Sequence, residues 1–276
     1  MKAKVTVLCD NYVMGNPGVL AEHGLSFFLE TDCGSYLMDT GAGKAIVNNS
    51  LLLGLDLKTV KGIIMSHNHW DHTGGLIPVL EVKRDVEIFA HPGLFRESYV
   101  IREDKYHYIG IPFTRQAIED RNVRFNFGRE FREILPGLWL TGEVPRITDF
   151  ENWDLNQVVR TESGYIKDNV IDDQSVVIET EKGLLVLLGC CHSGIINTLS
   201  YIVEKMGRRH IYAVIGGTHL APVGEEQREK SIGVLKGFDI ERIGICHCSG
   251  LKTAVRMIEE FGDKFFFFNV GDTLEA

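Results

Sequence analysis

The chain has 276 residues, and its composition excludes several classes of protein before any motif is considered. Its formal net charge of −9 argues against a nucleic-acid partner, because binding to a phosphate backbone needs clustered Lys and Arg side chains. No segment reaches the roughly 20 consecutive apolar residues of a membrane-spanning helix, and the first residues lack the apolar core of a signal peptide. We therefore expect a cytoplasmic protein whose partner is a small-molecule substrate, and the sequence leaves the oligomeric state open.

The first elements in chain order are predicted strands. Residues 1–8 alternate between apolar and polar side chains, as a half-buried strand does. A second apolar run, residues 36–38, leads into Asp39, which either caps a turn before Gly41 or belongs to a site. The run at residues 62–65 then predicts a buried strand that ends beside the most informative segment of the chain.

Three imidazoles and one carboxylate lie within the six residues His67-Asn68-His69-Trp70-Asp71-His72. In an extended chain His67 and His69 point to the same side, so two nitrogens converge on one ion. A turn sequence follows at residues 73–75, so Asp71 and His72 diverge from that pair and are available to a second ion. One such residue alone is more often structural, but clustered His and Asp side chains indicate a metal or catalytic site. We expect two divalent ions, zinc by preference and manganese or iron as alternatives.

The interval from residue 93 to residue 168 is less regular than the rest of the chain. Because a segment of this length is unusual as a connection inside a compact domain, we expect it to be a cap inserted over the site. The alternative is an ordinary structural excursion. Its arginines are either phosphate ligands or solvated surface groups. These arginines are Arg96, Arg102, Arg115, Arg146 and Arg160.

Three further histidines follow predicted strands in the second half of the chain. Residues 176–180 and 184–188 flank a turn that contains Gly183, which predicts a β-hairpin that leads directly to His192. The apolar run at residues 211–215 precedes His219, which contacts substrate or metal or is structural. A third run, residues 243–245, precedes His247, and a helix with apolar residues at helical spacing follows it and ends at Gly262.

The six cysteines form no C-x-x-C pair, and most of them lie in apolar runs, so we expect free buried thiols in a reducing compartment. Cys246 and Cys248 flank His247 in alternation. If that segment is extended, both thiols point away from the His247 imidazole. A zinc site built on these two thiolates is therefore the weaker alternative.

The pattern H-x-H-x-D-H, after a buried strand and before a Gly-Gly turn, resembles the metallo-β-lactamase superfamily. The resemblance implies an α+β fold, the αββα metallo-β-lactamase sandwich, as a single domain over residues 1–276. It also implies that Asp39 hydrogen-bonds a metal-bound histidine and that His247 completes the second metal site. Members of the superfamily commonly supply a bridging Asp after a Gly at about position 190, but here Gly189 is followed by Cys190-Cys191-His192. Either His192 takes a ligand role, which we favour, or fewer groups hold the second ion.

Pattern and resemblance together give one set of expected site residues. Two acidic residues, Asp172 and Asp173, precede the hairpin and either reach the site or form an ordinary turn, and we assign a supporting role to Asp39 and Asp173. Asp71 and His219 are the expected catalytic residues. The expected metal ligands are His67, His69, Asp71, His72, His192 and His247.

Several short segments narrow the resemblance to one subfamily. Asp10-Asn11, the segment at residues 22–26 and the Gly-Cys-Cys-His-Ser-Gly, Gly-Gly-Thr-His-Leu and His-Cys-Ser-Gly stretches are similar to a group described as metal-dependent hydrolases. That group includes the archaeal synthase that joins a dihydropterin methyl diphosphate to ribofuranosylaminobenzene 5'-phosphate. In this group His23 either belongs to the site or is a loop residue.

The resemblance leaves the reaction open. It implies a hydrolase-like enzyme acting on a small phosphorylated or pterin-type anion, with a dihydropterin-methyl transferase as one alternative and a non-catalytic metal-binding or ligand-sensing protein as another. A di-iron redox role is a further option, but a carboxylate, commonly Glu, normally stands at the position of Asn68 in such relatives.

Overall fold

The computed structural model describes residues 1–15, 17–151 and 156–276. Its strands form two seven-stranded sheets and one four-stranded sheet. In chain order the strands are β1 (Ala3–Cys9), β2 (Ser26–Thr31), β3 (Gly34–Met38), β4 (Val60–Ile64), β5 (Glu87–Ala90), β6 (Ser98–Arg102), β7 (Lys105–Tyr108), β8 (Arg124–Phe127), β9 (Arg132–Leu135), β10 (Leu138–Leu140), β11 (Gln157–Thr161), β12 (Gly164–Lys167), β13 (Val176–Thr180), β14 (Gly183–Leu188), β15 (His210–Gly217), β16 (Asp239–Cys246), β17 (Phe265–Phe267) and β18 (Thr273–Glu275).

The helices connect the strands and lie outside the two large sheets. In chain order the α-helices are α1 (Ile46–Leu52), α2 (Trp70–Thr73), α3 (Leu76–Val82), α4 (Arg115–Glu119), α5 (Ile195–Met206), α6 (Glu225–Leu235) and α7 (Leu251–Phe261). Short 3₁₀ turns occupy Leu57–Thr59, Pro92–Phe95, His247–Ser249 and Gly262–Lys264. None of these helices, within the described residues, is long and apolar enough to cross a membrane.

Three apolar clusters show how the layers pack. The central cluster joins the facing sides of the two large sheets, with Phe27 of the first sheet against Phe268 beside the second, at 6.0 Å between ring centroids. Two outer clusters bury α3 on the first sheet and α5 and α7 on the second. The result is the αββα sandwich that the sequence predicts.

The topology brings the functional segments to one edge. The first large sheet has the order β18-β1-β2-β3-β4-β5-β8, and the second has the order β17-β16-β15-β14-β13-β10-β9. Strands β3, β4, β5 and β8 are parallel, as are β14 to β17. Because parallel strands end at the same edge of a sheet, the loops after β4, β14, β15 and β16 are neighbours in space.

The predicted local elements agree with the structure at several places. The first strand, the hairpin of β13 and β14 and the helix that ends before Gly262 are confirmed. Asp71 and His72 lie on α2, a single helical turn, where the sequence indicated only a turn.

The interval from residue 93 to residue 168 divides between two layers. Strands β8, β9 and β10 join the large sheets, whereas β12, β11, β6 and β7, in that order, form the separate four-stranded sheet. Residues 152–155 lie outside the described part of the chain. Within this interval, the four-stranded sheet is the part that lies apart from the two large sheets. The cap over the site stays a prediction, and so does the single domain.

A tight contact between two turns fixes the end of the metal motif. The amide of Thr40 donates to the carbonyl of His72 at 2.7 Å, and a Cβ on Gly75 would lie 2.0 Å from the Thr40 carbonyl oxygen. Any side chain at position 75 would push these two backbone segments apart.

We predict that Gly75→Ala destabilises the protein by about 1–3 kcal/mol, because the backbone must move to admit a methyl group. The measurement is urea unfolding followed by circular dichroism. The matched control is Gly233→Ala in α6, where a Cβ meets no atom within 4 Å and helix propensity favours Ala. Equal stability of the Gly75 variant and the wild type would contradict the prediction.

Candidate metal centre

The structure brings all six expected metal ligands together at the shared sheet edge. His67 and His69 follow β4, Asp71 and His72 lie on α2, and all four are buried. The other two come from the second sheet. His192 follows β14 and His247 follows β16, and both are buried as well.

His67, His69 and His192 form the first group, with one ring nitrogen from each within 4.8 Å of the others. The Nε2 atom of each is buried and has no hydrogen-bond partner among the described residues. Burial, together with the neighbouring imidazoles, holds the pKa of His67 and of His192 well below the usual range, and burial lowers that of His69 to about 4. The three rings are therefore neutral near pH 7, which is the form that binds a metal ion.

Asp71, His72 and His247 form a second group with the same spacing limit of 4.8 Å. The Nε2 atom of His247 lies 3.3 Å from Asp71 Oδ2 and 3.2 Å from His72 Nε2. Burial raises the pKa of Asp71. The facing imidazoles outweigh the effect of burial and hold this pKa well below its usual range. A cation between these atoms would replace crowding between imidazoles with coordination.

A buried carboxylate links the two groups. Asp39 accepts hydrogen bonds from His72 Nδ1 at 2.7 Å, from the Ser66 amide at 2.7 Å and from the Ser66 hydroxyl at 2.6 Å. The Ser66 oxygen in turn lies 2.9 Å from His67 Nδ1. These bonds place the Nδ1 protons on the supporting side and leave each Nε2 for an ion. Burial lowers the pKa of His72. The carboxylates of Asp39 and Asp71 outweigh the effect of burial and raise this pKa to about 9.

Asp10 and Asn11 orient His247 from the opposite end of the chain. The His247 amide donates to Asp10 Oδ1 at 2.7 Å, and His247 Nδ1 donates to Asn11 Oδ1 at 2.9 Å. His247 has φ +52° and begins a 3₁₀ turn, so the chain is not extended from His247 onward and the condition under which both thiols point away is not met. The turn brings Cys248 beside His247, where alternation had placed it on the other side.

Three other expected residues lie around the two groups. The His219 ring lies beside the His192 ring, tilted by 47° with 4.1 Å between ring centroids, and the His219 amide donates to Cys248 Sγ at 3.3 Å. Asp173 accepts from the Ser193 amide at 3.1 Å and so supports the loop that carries His192. His23, which the subfamily resemblance left open, is half exposed, and its Nε2 lies 3.3 Å from Asp71 Oδ2.

Asn68 faces away from the metal groups. Its side-chain amide donates to the Ser98 hydroxyl and to the Arg96 carbonyl, both at 3.0 Å, and its backbone amide donates to Asp172 at 2.8 Å. Arg96 also pairs with Asp168 at 2.9 Å and with Asp172. Asp172 is therefore part of a link between the motif and β6, and it belongs to none of the candidate ligand groups among the described residues.

Cys190 is the residue that the sequence reasoning did not include. Its Sγ lies 3.1 Å from His72 Nε2, and the side chain is buried between the two groups. The signal was present in the sequence, because Cys190 directly follows Gly189 at the position where the resemblance expects a bridging carboxylate. Among the described residues, the donors around the centre are therefore nitrogen, oxygen and sulfur, a set that suits zinc.

A cavity of about 530 Å³ opens over the centre. Its wall includes Asp71, His219 and Cys248 from the centre and Arg102 from β6 of the four-stranded sheet. Trp70 and Tyr12 add two partly exposed aromatic rings to the same wall. The cavity therefore has a polar base, aromatic sides and a cationic group at the four-stranded sheet.

An αββα sandwich with clustered histidines at the sheet edge defines a class of metal-site proteins, and comparisons place this chain within it. A model of the metallo-β-lactamase superfamily matches residues 20–152. A synthase from Methanocaldococcus jannaschii, 7,8-dihydropterin-6-methyl-4-(β-D-ribofuranosyl)-aminobenzene-5'-phosphate synthase, is 32% identical over 99% of this chain and 96% of its own length. The chain belongs to the metallo-β-lactamase superfamily, in the group that includes this synthase.

Solved structures agree with this assignment. Tm1679, described as a metal-dependent hydrolase of the β-lactamase superfamily, has a TM-score of 0.85 and 27% identity, with 99% of each chain covered. A diphosphatase from the PhnP family has a TM-score of 0.57 and 14% identity, covering 100% of this chain and 98% of its own, and it shows the shared fold alone.

We predict that the zinc affinity of the metal-free protein rises with pH between about pH 6 and pH 8, by up to about tenfold per unit for each proton that the ion displaces. His72 has a pKa of about 9 without metal, so an ion that binds its Nε2 must displace a proton. The proton is harder to displace at lower pH, so the zinc affinity falls as the pH falls. Calorimetric titration in two buffers of different ionisation enthalpy counts the protons released. An affinity that does not change with pH, with no proton release, would contradict the prediction.

Proposed function

We propose that this protein is an enzyme that holds two divalent metal ions and acts on a small anionic substrate with a phosphate or diphosphate group. His67, His69 and His192 would hold one ion, and Asp71, His72 and His247 the other. Zinc is the metal that the donor set favours, with manganese or iron as alternatives.

The observation that carries this proposal is the set of three buried Nε2 atoms of His67, His69 and His192 that lack hydrogen-bond partners in the described residues. Leaving one buried polar atom unpaired costs about 1–3 kcal/mol. Three such atoms, on rings that each bring one nitrogen within 4.8 Å of the others, are therefore a large cost unless they share a partner. A metal ion is the partner that accepts three nitrogen lone pairs at once.

When bound, two divalent ions supply Lewis acidity, which lowers the pKa of a water nucleophile and neutralises charge on a phosphate leaving group. The chain's own residues would position the reactants and move protons. Asp71 lines the cavity with a carboxylate that stays ionised, so it is able to accept a proton from an attacking group. His219 lines the same cavity beside His192 and is placed to contact the substrate.

The cavity indicates what the substrate contains. Arg102 is exposed on β6 and has no ion pair among the described residues, so its guanidinium is available to an anion. The rings of Trp70 and Tyr12 offer flat apolar surfaces on the same wall. An aromatic group that carries a phosphate would use both features.

The second candidate function is transfer of a dihydropterin unit, through its methylene carbon, from diphosphate to an aminobenzene acceptor. The full-length similarity to the synthase and the aromatic cavity wall favour it. In that reaction the bond from the methylene carbon to the diphosphate oxygen breaks, a bond from that carbon to the aryl acceptor forms, and the acceptor loses a proton. Hydrolysis and transfer would share the metal centre and differ in the nucleophile.

We predict that His192→Ala lowers the metal content from two ions per chain to one and reduces turnover by more than about 100-fold. The protein is loaded with zinc, counted by elemental analysis and assayed on a phosphoester panel and on the pterin and aminobenzene pair. His107→Ala, an exposed histidine on β7, is the control and should change neither value.

The wild-type protein separates the remaining alternatives in the same assay. Turnover on phosphoesters alone supports the hydrolase, and turnover on the pterin pair supports the transferase. Two bound ions without turnover on either set would identify a non-catalytic metal-binding protein and overturn the enzyme proposal.

We also predict that Arg102→Ala raises KM about tenfold or more with little change in kcat, because it removes charge-assisted hydrogen bonds to the anionic part of the substrate. Steady-state kinetics on whichever substrate turns over provides the measurement. Arg160→Ala on the adjacent strand β11, where Arg160 pairs with Glu97, is the control. If both variants had the same KM as the wild type, Arg102 would not bind substrate.

A further inference from the structure

We propose that Cys190 is a metal ligand shared by both ions, so that the centre is bridged by a thiolate. The inference rests on the proposed binuclear centre and goes further, since it assigns a sulfur ligand to it. The motif H-x-H-x-D-H does not include this residue, and its one sequence signal is its position directly after Gly189.

The position of the sulfur carries the inference. Cys190 Sγ lies within 4.8 Å of ligand atoms of His67 and His72, and it forms a second such set with His192 and His219. It forms a third set with His247 and Cys248. Cys190 therefore neighbours histidines of both metal groups, and it belongs to three of the five candidate sets found among the described residues.

The strand geometry explains why the sulfur reaches this place. Gly189 directly follows the parallel strand β14, and a Cβ on it would lie 2.4 Å from Ser66, so the backbone approaches the loop after β4 closely. Cys190 follows directly, and its side chain enters the space between the groups, with Sγ 3.1 Å from His72 Nε2. The next residue, Cys191, turns to the other side and packs under α5, with Sγ 3.4 Å from the Thr198 hydroxyl.

The charge balance of the centre favours a thiolate. Asp71 is the only carboxylate in the candidate sets of the described residues, so two divalent ions would leave a large positive charge in a buried site. On metal binding the Cys190 S–H bond breaks, the proton goes to solvent, and the sulfur lone pairs form bonds to the ions. The thiolate contributes a second negative charge, and its softness favours zinc over manganese.

Cobalt(II) tests the inference, because it substitutes for zinc and gives a near-ultraviolet charge-transfer absorption only when a thiolate binds it. Metal-free full-length protein is titrated with cobalt, and both the number of ions bound and the absorption are recorded. We expect two ions and a charge-transfer band in the wild type. We expect the band to disappear in Cys190→Ser and Cys190→Asp, with the Asp variant still binding two ions.

One neighbouring cysteine provides a matched control, and a second is the competing thiol. Cys191→Ser should keep the band, since Cys191 lies on the far side of the strand end. Cys248 shares a candidate set with Cys190 and His247, so Cys248→Ser tests whether the band comes from that thiol, and we expect the band to remain. Thermal unfolding of the metal-free variants shows which of them fold. If Cys190→Ser does not fold, the folded Cys190→Asp variant shows whether the band requires the Cys190 thiol.

The outcomes separate this inference from the proposed function. Binding of two cobalt ions without the band, or a band that persists in Cys190→Asp or disappears in Cys248→Ser alone, overturns the thiolate bridge and leaves the binuclear enzyme in place. Failure to bind two ions overturns the proposed function itself.

Discussion

The buried carboxylate of Asp39 is the interaction on which the site depends. It stands directly after β3, has no solvent exposure, and accepts hydrogen bonds from the two residues Ser66 and His72. A buried carboxylate is tolerated only when donors surround it, so these bonds hold the end of β3 against the end of β4 and against α2. The orientation of His72 follows directly, and that of His67 follows through Ser66.

The rest of the centre shows why a cation suits the fold. Neutral imidazoles with low pKa crowd one side, whereas His72 is protonated on the other. Without an ion, the first side has unpaired nitrogens and the second has a proton where a metal would bind. Binding of a metal ion would relieve both conditions, and its free energy would then add to the stability of the folded state.

The sequence predicts those parts of the structure that depend on short segments. The spacing of His67 and His69, the hairpin before His192 and the helix after His247 all follow from periods of two or of 3.6 residues. Asp10 and Asn11 could not be predicted as partners of His247, because 237 and 236 positions separate them and only the strand order brings them together. Cys190 was missed for a different reason, since a thiol in an apolar run has the pattern of an ordinary core residue.

Asn68 connects the metal centre to the four-stranded sheet. Asn68 stands between two metal-site histidines, yet its hydrogen bonds go to Ser98 and Arg96, next to the sheet that carries Arg102. A ligand that contacts this sheet is therefore connected to the backbone between His67 and His69 through these hydrogen bonds. If a ligand in the cavity changes the affinity of the centre for metal through this link, the metal changes the affinity of the cavity for that ligand by the same factor.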